Sequence, residues 1–285
     1  MPTTKEVVAM PGDSKNIKVA AIVEYHGAHF HGWQRQKHHP EPTIQAALED
    51  ALSKIANESI SVVCAGRTDA GVHASTQVIH FETSAKRKPH NWVRGTNTQL
   101  PSGIVVRWMS EVDNEFHARF SATARRYRYL IYNQEVRPGL LHDQLTWCRS
   151  PLDADKMNTA AQALLGENDF TSFRAKDCQS HTPFRNIHSI SVKRFGEIVM
   201  IEVQANAFLY HMIRNIAGVL IPIGVGKKPV QWCSELLALK DRNKGGVTAP
   251  SDGLYFVGVN YPEHFNIPSQ PWGPVFVEPW LNKTS

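Results

Sequence analysis

The sequence predicts an α+β protein built from two similar halves that divide near residue 114. Three observations predict this class: the order of the segments, the composition and the length. Strand-like and helix-like segments alternate along 285 residues, of which 42% are hydrophobic and 20% charged. That composition is typical of a folded globular protein rather than a disordered one. A chain of this length buries about three quarters of its unfolded surface, so it needs no disulfide or metal to fold.

The first half, residues 17–113, has a βαββαβ-like order. Residues 18–25 alternate and are rich in Val, Ile and Ala, which predicts a strand. Residues 43–56 place apolar side chains at helical spacing behind Pro42 and Thr43, which are helix-start signals. The remaining segments predict strands at 61–64, 76–81 and 104–109, and a helix at 90–100.

The second half, residues 114–265, repeats this pattern. It predicts strands at 126–132, 187–195, 198–205 and 254–259, and helices at 153–165, 207–221 and 230–239. Two further segments flank the halves. Residues 1–16 predict a mobile arm, and the Pro-rich residues 266–285 predict a tail that wraps the surface.

Charge, hydropathy and cysteine usage limit the class of protein. The 31 Lys and Arg exceed the 26 Asp and Glu by 5, which permits a nucleic-acid partner without requiring one. The longest apolar stretch, 208–226, is interrupted by polar residues, and no signal peptide is recognisable, so we expect a cytoplasmic protein outside the membrane. No Cys-x-x-Cys pair occurs, which argues against a structural zinc site and favours a reducing compartment. The four cysteines are Cys64, Cys148, Cys178 and Cys233.

A glycine-flanked loop at residues 65–74 carries the first candidate for chemistry, Asp69. Glycines at 66 and 71 allow sharp turns and the close approach of a ligand. The structural alternative is an ordinary Asx-turn. A carboxylate with a pKa of about 3.9 is a poor general base at neutral pH and a better nucleophile or charge stabiliser. If Asp69 is catalytic, we expect it to attack its substrate.

Arg214 is the second candidate, because it lies in a predicted helix with few polar positions. A desolvated guanidinium costs several kcal/mol unless a carboxylate faces it. One interpretation is that Arg214 extends towards a helix end and keeps its charge in water. The other is that it pairs with a catalytic carboxylate and keeps that group ionised.

Basic residues interleaved with aromatic ones predict a surface for RNA. Arginines neutralise phosphates, and an aromatic ring offers a face for an unstacked base, worth about 1–3 kcal/mol per base. The alternative is a solvated basic strand with tyrosines in the core. A second basic patch at 86–94 includes Arg87. The interleaved stretches are 125–129 and Phe116, His117, Ala118, Arg119 and Phe120.

Five histidines cluster near the N-terminus without a nearby carboxylate or cysteine pattern, so the sequence predicts no metal site there. They are His26, His29, His31, His38 and His39.

Six stretches, in chain order, closely resemble the bacterial tRNA pseudouridine synthase A family. The resemblance runs over about residues 17–265, nearly the whole chain. The run Arg-Thr-Asp-Ala-Gly-Val-His is highly specific among them. The stretches are GWQRQ at 32–36, AGRTDAGVHA at 65–74, FHARFSATARRYRYLIYN at 116–133, GENDFTSFRA at 166–175, MIRNIAG at 212–218 and GLY at 253–255.

The resemblance implies a homodimeric enzyme that isomerises uridines 38, 39 and 40 of the tRNA anticodon stem-loop to pseudouridine. It implies two ferredoxin-like halves, a mixed or antiparallel sheet with helices on one face, and a basic cleft between the halves. It implies neither a metal nor an organic cofactor. Asp69 matches the nucleophile and Arg214 its partner. Arg67 matches the residue that displaces the target nucleotide, Tyr127 the residue that stacks on the uracil, and Leu254 an apolar wall residue.

The resemblance also implies contacts with tRNA along three segments. These are Arg87; Phe116, His117, Ala118, Arg119 and Phe120; and Asp177, Cys178, Gln179, Ser180 and His181.

Phe256 and the segment 208–211 depart from the family pattern, and we expect neither to touch the chemistry. Three other functions remain open from sequence alone. They are a non-catalytic tRNA-binding protein or chaperone, a synthase for a different uridine or RNA, and a metal-dependent hydrolase that uses the N-terminal histidines.

Overall fold

The computed structural model describes residues 16–36, 41–268 and 273–281. Within them the chain forms ten strands and six α-helices, so the predicted α+β class is confirmed. The strands are β1 (Ile17–Tyr25), β2 (Val63–Cys64), β3 (His73–Thr83), β4 (Ile104–Val112), β5 (Ala124–Asn133), β6 (Thr146–Cys148), β7 (Gly166–Asp169), β8 (Phe184–Phe195), β9 (Ile198–Ala205) and β10 (Leu254–Asn260). The helices are α1 (Ile44–Ala56), α2 (Pro89–Gln99), α3 (Ala154–Ala161), α4 (Met212–Gly224), α5 (Trp232–Leu239) and α6 (Glu278–Leu281).

All ten strands belong to one sheet, with the order β4-β1-β3-β10-β5-β9-β8-β7. β2 pairs with β3, and β6 pairs with β5. The β10–β3 and β5–β6 pairs are parallel and the other pairs antiparallel. β10 therefore joins the strands of the first half to those of the second. Its partners place Tyr255 opposite His73 and Phe256 opposite Tyr127.

Local signals explain where the helices begin and end. The Thr43 side chain accepts a hydrogen bond from the Ala46 N–H at the start of α1, and Asn57 ends that helix in the left-handed region. Asp153 caps α3 by accepting from the Lys156 N–H. Pro89 occupies the first turn of α2, where a missing N–H costs nothing.

Helices α1 to α5 cover one face of the sheet. Residues 127, 129 and 131 of β5 belong to the main core, together with buried residues of all five helices. Leu130 points to the opposite face because side chains alternate along a strand. There it packs in a smaller cluster with Tyr255, Val257 and Val277. The predicted arrangement of helices on one face is confirmed.

Several elements differ from the sequence predictions. The helix predicted at 207–221 begins at Met212, because residues 207–211 form a loop that ends with His211 at φ 59° and ψ 9°. The short strands β6 and β7 were not predicted, since three or four residues carry too little periodicity. β3 begins at His73, which is three residues earlier than predicted.

The predicted N-terminal arm, residue 16 apart, lies outside the described residues. The described part of the predicted tail includes Val277, which is buried, and Gly273, whose carbonyl accepts a hydrogen bond from Arg128. No helix among the described residues is both long and apolar enough to cross a bilayer.

Candidate active site

The loop between β2 and β3 is held in place by the GWQRQ stretch. The Trp33 N–H donates to the Thr68 carbonyl at 2.9 Å, and the Thr68 hydroxyl bonds the buried Tyr25 hydroxyl at 2.8 Å. Gly32 has φ +83°, and a Cβ there would lie 2.9 Å from the Thr68 carbonyl oxygen. Position 32 therefore requires glycine, both for its backbone conformation and for the close approach to residues 68–70. This contact fixes the backbone that carries Asp69.

Helix α4 places the guanidinium of Arg214 beside the loop that carries Asp69. Arg214 lies in its first turn, and the Arg214 Nε–H donates to the Ala249 carbonyl at 2.8 Å. The Ala249 N–H in turn donates to the Arg214 carbonyl at 3.1 Å. The guanidinium is thus anchored by one nitrogen and free to direct another at a carboxylate. Its side chain is 17% exposed.

One carboxylate oxygen of Asp69 lies close to two side chains, those of Arg214 and His211. Asp69 Oδ2 lies 3.5 Å from Arg214 Nη1 and 3.3 Å from His211 Nε2. His211 directly precedes α4, so both partners project from the beginning of one helix. The helix dipole there also favours a negative charge.

Burial and neighbouring charges act on the Asp69 carboxyl in opposite directions. Burial raises the pKa of Asp69, whereas His211 and then Arg214 lower it, and burial prevails. Burial also lowers the pKa of His211, with Asp69 opposing and Arg214 reinforcing that change. Arg214 therefore supplies a permanent positive charge opposite Asp69.

An aromatic and aliphatic wall lies beside these polar groups. The Tyr127 ring contacts Phe208 with ring centroids 5.0 Å apart and Phe256 with centroids 4.8 Å apart. Tyr127 is 8% exposed and Leu254 5%, yet both line the cleft that holds Asp69. Burial raises the pKa of Tyr127, so its phenol remains protonated. The wall offers a flat, largely dry surface next to a single carboxylate.

The cleft has a volume of about 680 Å³ and takes its lining from both halves of the chain. Asp69 is the single acidic residue among the described residues that line it. Four arginines line it as well: Arg67, Arg119, Arg125 and Arg185. A cleft with this charge and with aromatic side chains fits a polyanion that presents a flat ring.

Comparison with known proteins identifies the family. The sequence model described as tRNA pseudouridine synthase matches residues 21–121 and 160–262. The chain belongs to the tRNA pseudouridine synthase family. The tRNA pseudouridine synthase A of Yersinia pseudotuberculosis is 57% identical over 92% of this chain and 98% of its own length. That of Shewanella sp. MR-4 is 56% identical over 92% and 99%.

Among solved structures, a chain in the crystal structure of a Cbf5-Nop10-Gar1 complex shares 13% identity at a TM-score of 0.36. The match covers 84% of this chain and 49% of that one. It is too distant to support an argument about the site.

Members of the pseudouridine synthase family isomerise uridine to pseudouridine, so the chain is an isomerase of tRNA. The matched segments contain the residues that form the polar centre of the cleft, Asp69, His211 and Arg214. The non-catalytic alternative is therefore not supported.

Most of the residues expected from the synthase family line the cleft, and the others lie beside or outside it. Asp69, Arg214, Tyr127 and Leu254 come together, and Arg67 lines the same cleft with an exposed side chain. The cleft is further lined by Arg119 and by Cys178, Gln179, Ser180 and His181. Asp177 is exposed beside that segment.

The prediction that Phe116 and Ala118 contact tRNA is wrong, because both residues are buried. Phe116 and Ala118 have no exposed surface, so neither can touch an RNA directly. Phe116 instead packs against Tyr261 and Phe265, with ring centroids 5.1 and 5.3 Å apart. These residues belong to the core beneath the turn at 116–120.

The exposed part of that turn is Arg119 and Phe120, with His117 stacked on the Phe120 ring at a centroid distance of 4.3 Å. His117 Nδ1 accepts the Arg119 and Phe120 N–H groups and so fixes the turn. Arg87 is exposed outside the cleft, and it donates to the Ile55 carbonyl at 3.3 Å.

His211 is a site residue that the sequence prediction missed. The expectation that residues 208–211 do not touch the polar centre is wrong, since His211 lies 3.3 Å from Asp69. The spacing offered a signal, because residues three apart near a helix start share one side. Because Arg214 was already a candidate, His211, which lies three residues before it, could have been predicted as a second side chain of the site.

Proposed function

We propose that this chain isomerises uridines 38, 39 and 40 of the tRNA anticodon stem-loop to pseudouridine, with Asp69 as the catalytic group. The observation that carries the proposal is the Asp69 carboxylate, the single one among the described residues of a cleft with four arginines, held between Arg214 and His211. We also infer that it acts in the cytoplasm as a homodimer, as the family resemblance implies. Membership of the family supports the reaction, and the cleft supports the assignment of residues.

Substrate binding begins with removal of the target base from its stack, which costs a few kcal/mol. Arginines along the cleft neutralise backbone phosphates, and Arg67 fills the space that the nucleotide leaves. Tyr127 offers its ring to the extruded uracil, which recovers part of that cost. Its buried position between Phe208 and Phe256 keeps the ring in one orientation.

The reaction is an internal rearrangement of one nucleoside. The C1′–N1 bond breaks and a C1′–C5 bond forms, while C5 loses a proton and N1 gains one, so no oxidant or phosphoryl donor is consumed. The ionised Asp69 carboxylate acts on the nucleoside by attack at C1′, by attack at C6 or by removal of a ribose proton. Arg214 and His211 hold the reacting oxygen in place, since both contact Oδ2. The apolar wall at Leu254 retains the detached uracil while it turns.

The substrate position is tested with unmodified tRNA transcripts. Three transcripts each carry a single uridine among these positions, at 38, 39 or 40, and a matched control carries cytidine at all three. Pseudouridine-specific chemical mapping is expected to find product at the single uridine and none in the control. Product at another position, or product in the control, would overturn the assignment of substrate.

A further inference from the structure

His26, His29 and Asp143 meet at a second polar cluster, away from the cleft. One ligand atom from each, two imidazole nitrogens and a carboxylate oxygen, lies within 4.8 Å of the others. His26 directly follows β1, His29 lies in the single turn that comes next, and Asp143 lies in the loop between β5 and β6. The two histidines belong to the first half and the carboxylate to the second.

The hydrogen bonding of His26 is incomplete. Its Nε2 is buried and has no hydrogen-bond partner, although Asp143 Oδ2 is only 3.5 Å away. A good N–H···O bond is about 2.9–3.0 Å long. Two ligands on one tetrahedral ion, each bonded at about 2.0–2.1 Å, lie about 3.4 Å apart. The separation therefore fits two ligands of a shared ion better than a direct bond.

The remainder of the cluster holds His26 in position. The His26 N–H donates to the Gly103 carbonyl at 2.8 Å, and its ring lies against His73 with centroids 4.8 Å apart. His73 cannot be a ligand, because both of its ring nitrogens are engaged. Its Nδ1 accepts the Gly27 N–H at 3.0 Å, so Nε2 carries the proton and donates to the Asp252 carbonyl at 3.0 Å.

We propose that His26, His29 and Asp143 bind one divalent transition-metal ion of the Zn²⁺ class. Imidazole nitrogen with one carboxylate is a donor set that such ions prefer, and water completes the coordination on the exposed side of His29. None of the three is among the described residues that line the cleft. The ion joins the two halves of the chain and stabilises them without entering the isomerisation.

The test is isothermal titration calorimetry of ZnCl₂ into the full, untagged chain after dialysis against EDTA. One ion per chain is expected. His29→Gln and Asp143→Asn each replace a strong zinc ligand with a neutral amide at a partly or fully exposed position, so both variants are expected to fold. Each should weaken binding at least about tenfold.

A matched control is His31→Gln, because His31 and Glu41 form an exposed imidazole–carboxylate pair at 3.3 Å outside the cluster. This variant should bind Zn²⁺ as the parent does. Thermal unfolding gives a second measurement. Zn²⁺ at about 100 times its Kd should raise the Tm of the parent and of His31→Gln by about 5 °C and that of Asp143→Asn much less.

Equal affinity in the parent and in Asp143→Asn, or a parent chain without binding below millimolar Zn²⁺, would overturn the metal site. Pseudouridine formation in EDTA is expected to be unchanged. Loss of activity in EDTA that Zn²⁺ restores would contradict the purely structural role. None of these outcomes depends on which uridine the enzyme modifies.

Discussion

At the scale of single residues, the Asp69 carboxyl must be both buried and ionised, and these two requirements oppose each other. Burial keeps water from the reaction but penalises the charged carboxylate, whereas Arg214 and His211 favour it. Arg214 is itself anchored to the Ala249 carbonyl, so its position does not depend on Asp69. The negative charge that the proposed reaction needs on Asp69 is therefore favoured by fixed neighbours.

The raised pKa of Asp69 predicts how activity depends on pH. The carboxylate must be ionised to react, so activity is full above its pKa and is lost as the pH falls through it. Because the pKa is raised, the loss should occur above pH 3.8, the ordinary value for an Asp side chain. Single-turnover rates at saturating tRNA across an acidic pH series measure this midpoint. A midpoint at or below the ordinary value would contradict the account.

His211 is expected to act as a positioning residue for Asp69. His211→Asn keeps a side chain that tolerates the left-handed backbone at this position but removes the imidazole. We expect the single-turnover rate to fall about tenfold or more, with tRNA affinity retained. The acid midpoint should also rise, because the imidazole lowers the Asp69 pKa. An unchanged midpoint with a lower rate would indicate a purely structural role.

The chemistry-bearing residues were largely predictable from the sequence, and their distances were not. Asp69 and Arg214 stand out because a loop carboxylate and a cation in an apolar helix both need an explanation. That they meet at 3.5 Å depends on packing between distant segments. Phe116 was misjudged because an aromatic residue beside arginines has the same sequence signature in a core as on an RNA-binding surface.

At the scale of elements, the position of α4 depends on a small residue at its contact with the 246–249 loop. A Cβ at Gly218 would lie 1.9 Å from the Val247 carbonyl oxygen. The same loop holds Arg214 through Ala249. The helix and the loop must therefore stay in close contact for the guanidinium to face Asp69.

Gly218→Ala is expected to separate α4 from that loop. It should lower the free energy of unfolding by about 1–3 kcal/mol in urea and slow turnover. The matched control is Gly95→Ala in α2, where the nearest atom is the flexible end of Ile55 at 3.1 Å. Alanine also favours the helix there, so a change within about 1 kcal/mol is expected. Equal effects of the two substitutions would contradict the close-contact argument.

Longer elements followed their sequence periodicity and short or irregular ones did not. β1, α1 and β9 lie close to the predicted ranges because each buries a regular apolar face. The start of α4 was displaced because residues 207–209 are apolar enough to extend the helical pattern. Tertiary contacts turn that segment into cleft lining instead.

At the scale of the whole molecule, the cleft concentrates positive charge around one carboxylate. Arginines come to it from separate segments: Arg67 from the loop between β2 and β3, Arg119 from the 116–120 turn and Arg185 from β8. The single sheet brings these segments together, because β10 pairs with β3 on one side and β5 on the other. No sequence pattern predicts the parallel pairing of β10 with β3, because the two strands lie far apart in the chain.

The affinity for tRNA should fall steeply as salt concentration rises, because arginines that neutralise phosphates release counterions. Arg67→Gln should reduce the slope of log affinity against log salt by about 1. Arg149→Gln is the control, since Arg149 is exposed and already paired with Glu135 at 3.2 Å. A flat salt series for the parent, or equal slopes for both variants, would count against phosphate binding in the cleft.

We propose that the Asp69 carboxylate performs the reaction and contributes little to holding the tRNA. Asp69→Asn preserves size and removes the charge, so a saturating single-turnover reaction with the parent and this variant separates the two roles. We predict that Asp69→Asn binds tRNA with an affinity within a few-fold of the parent and forms no detectable pseudouridine. Pseudouridine formed by Asp69→Asn at the parent's rate would contradict it.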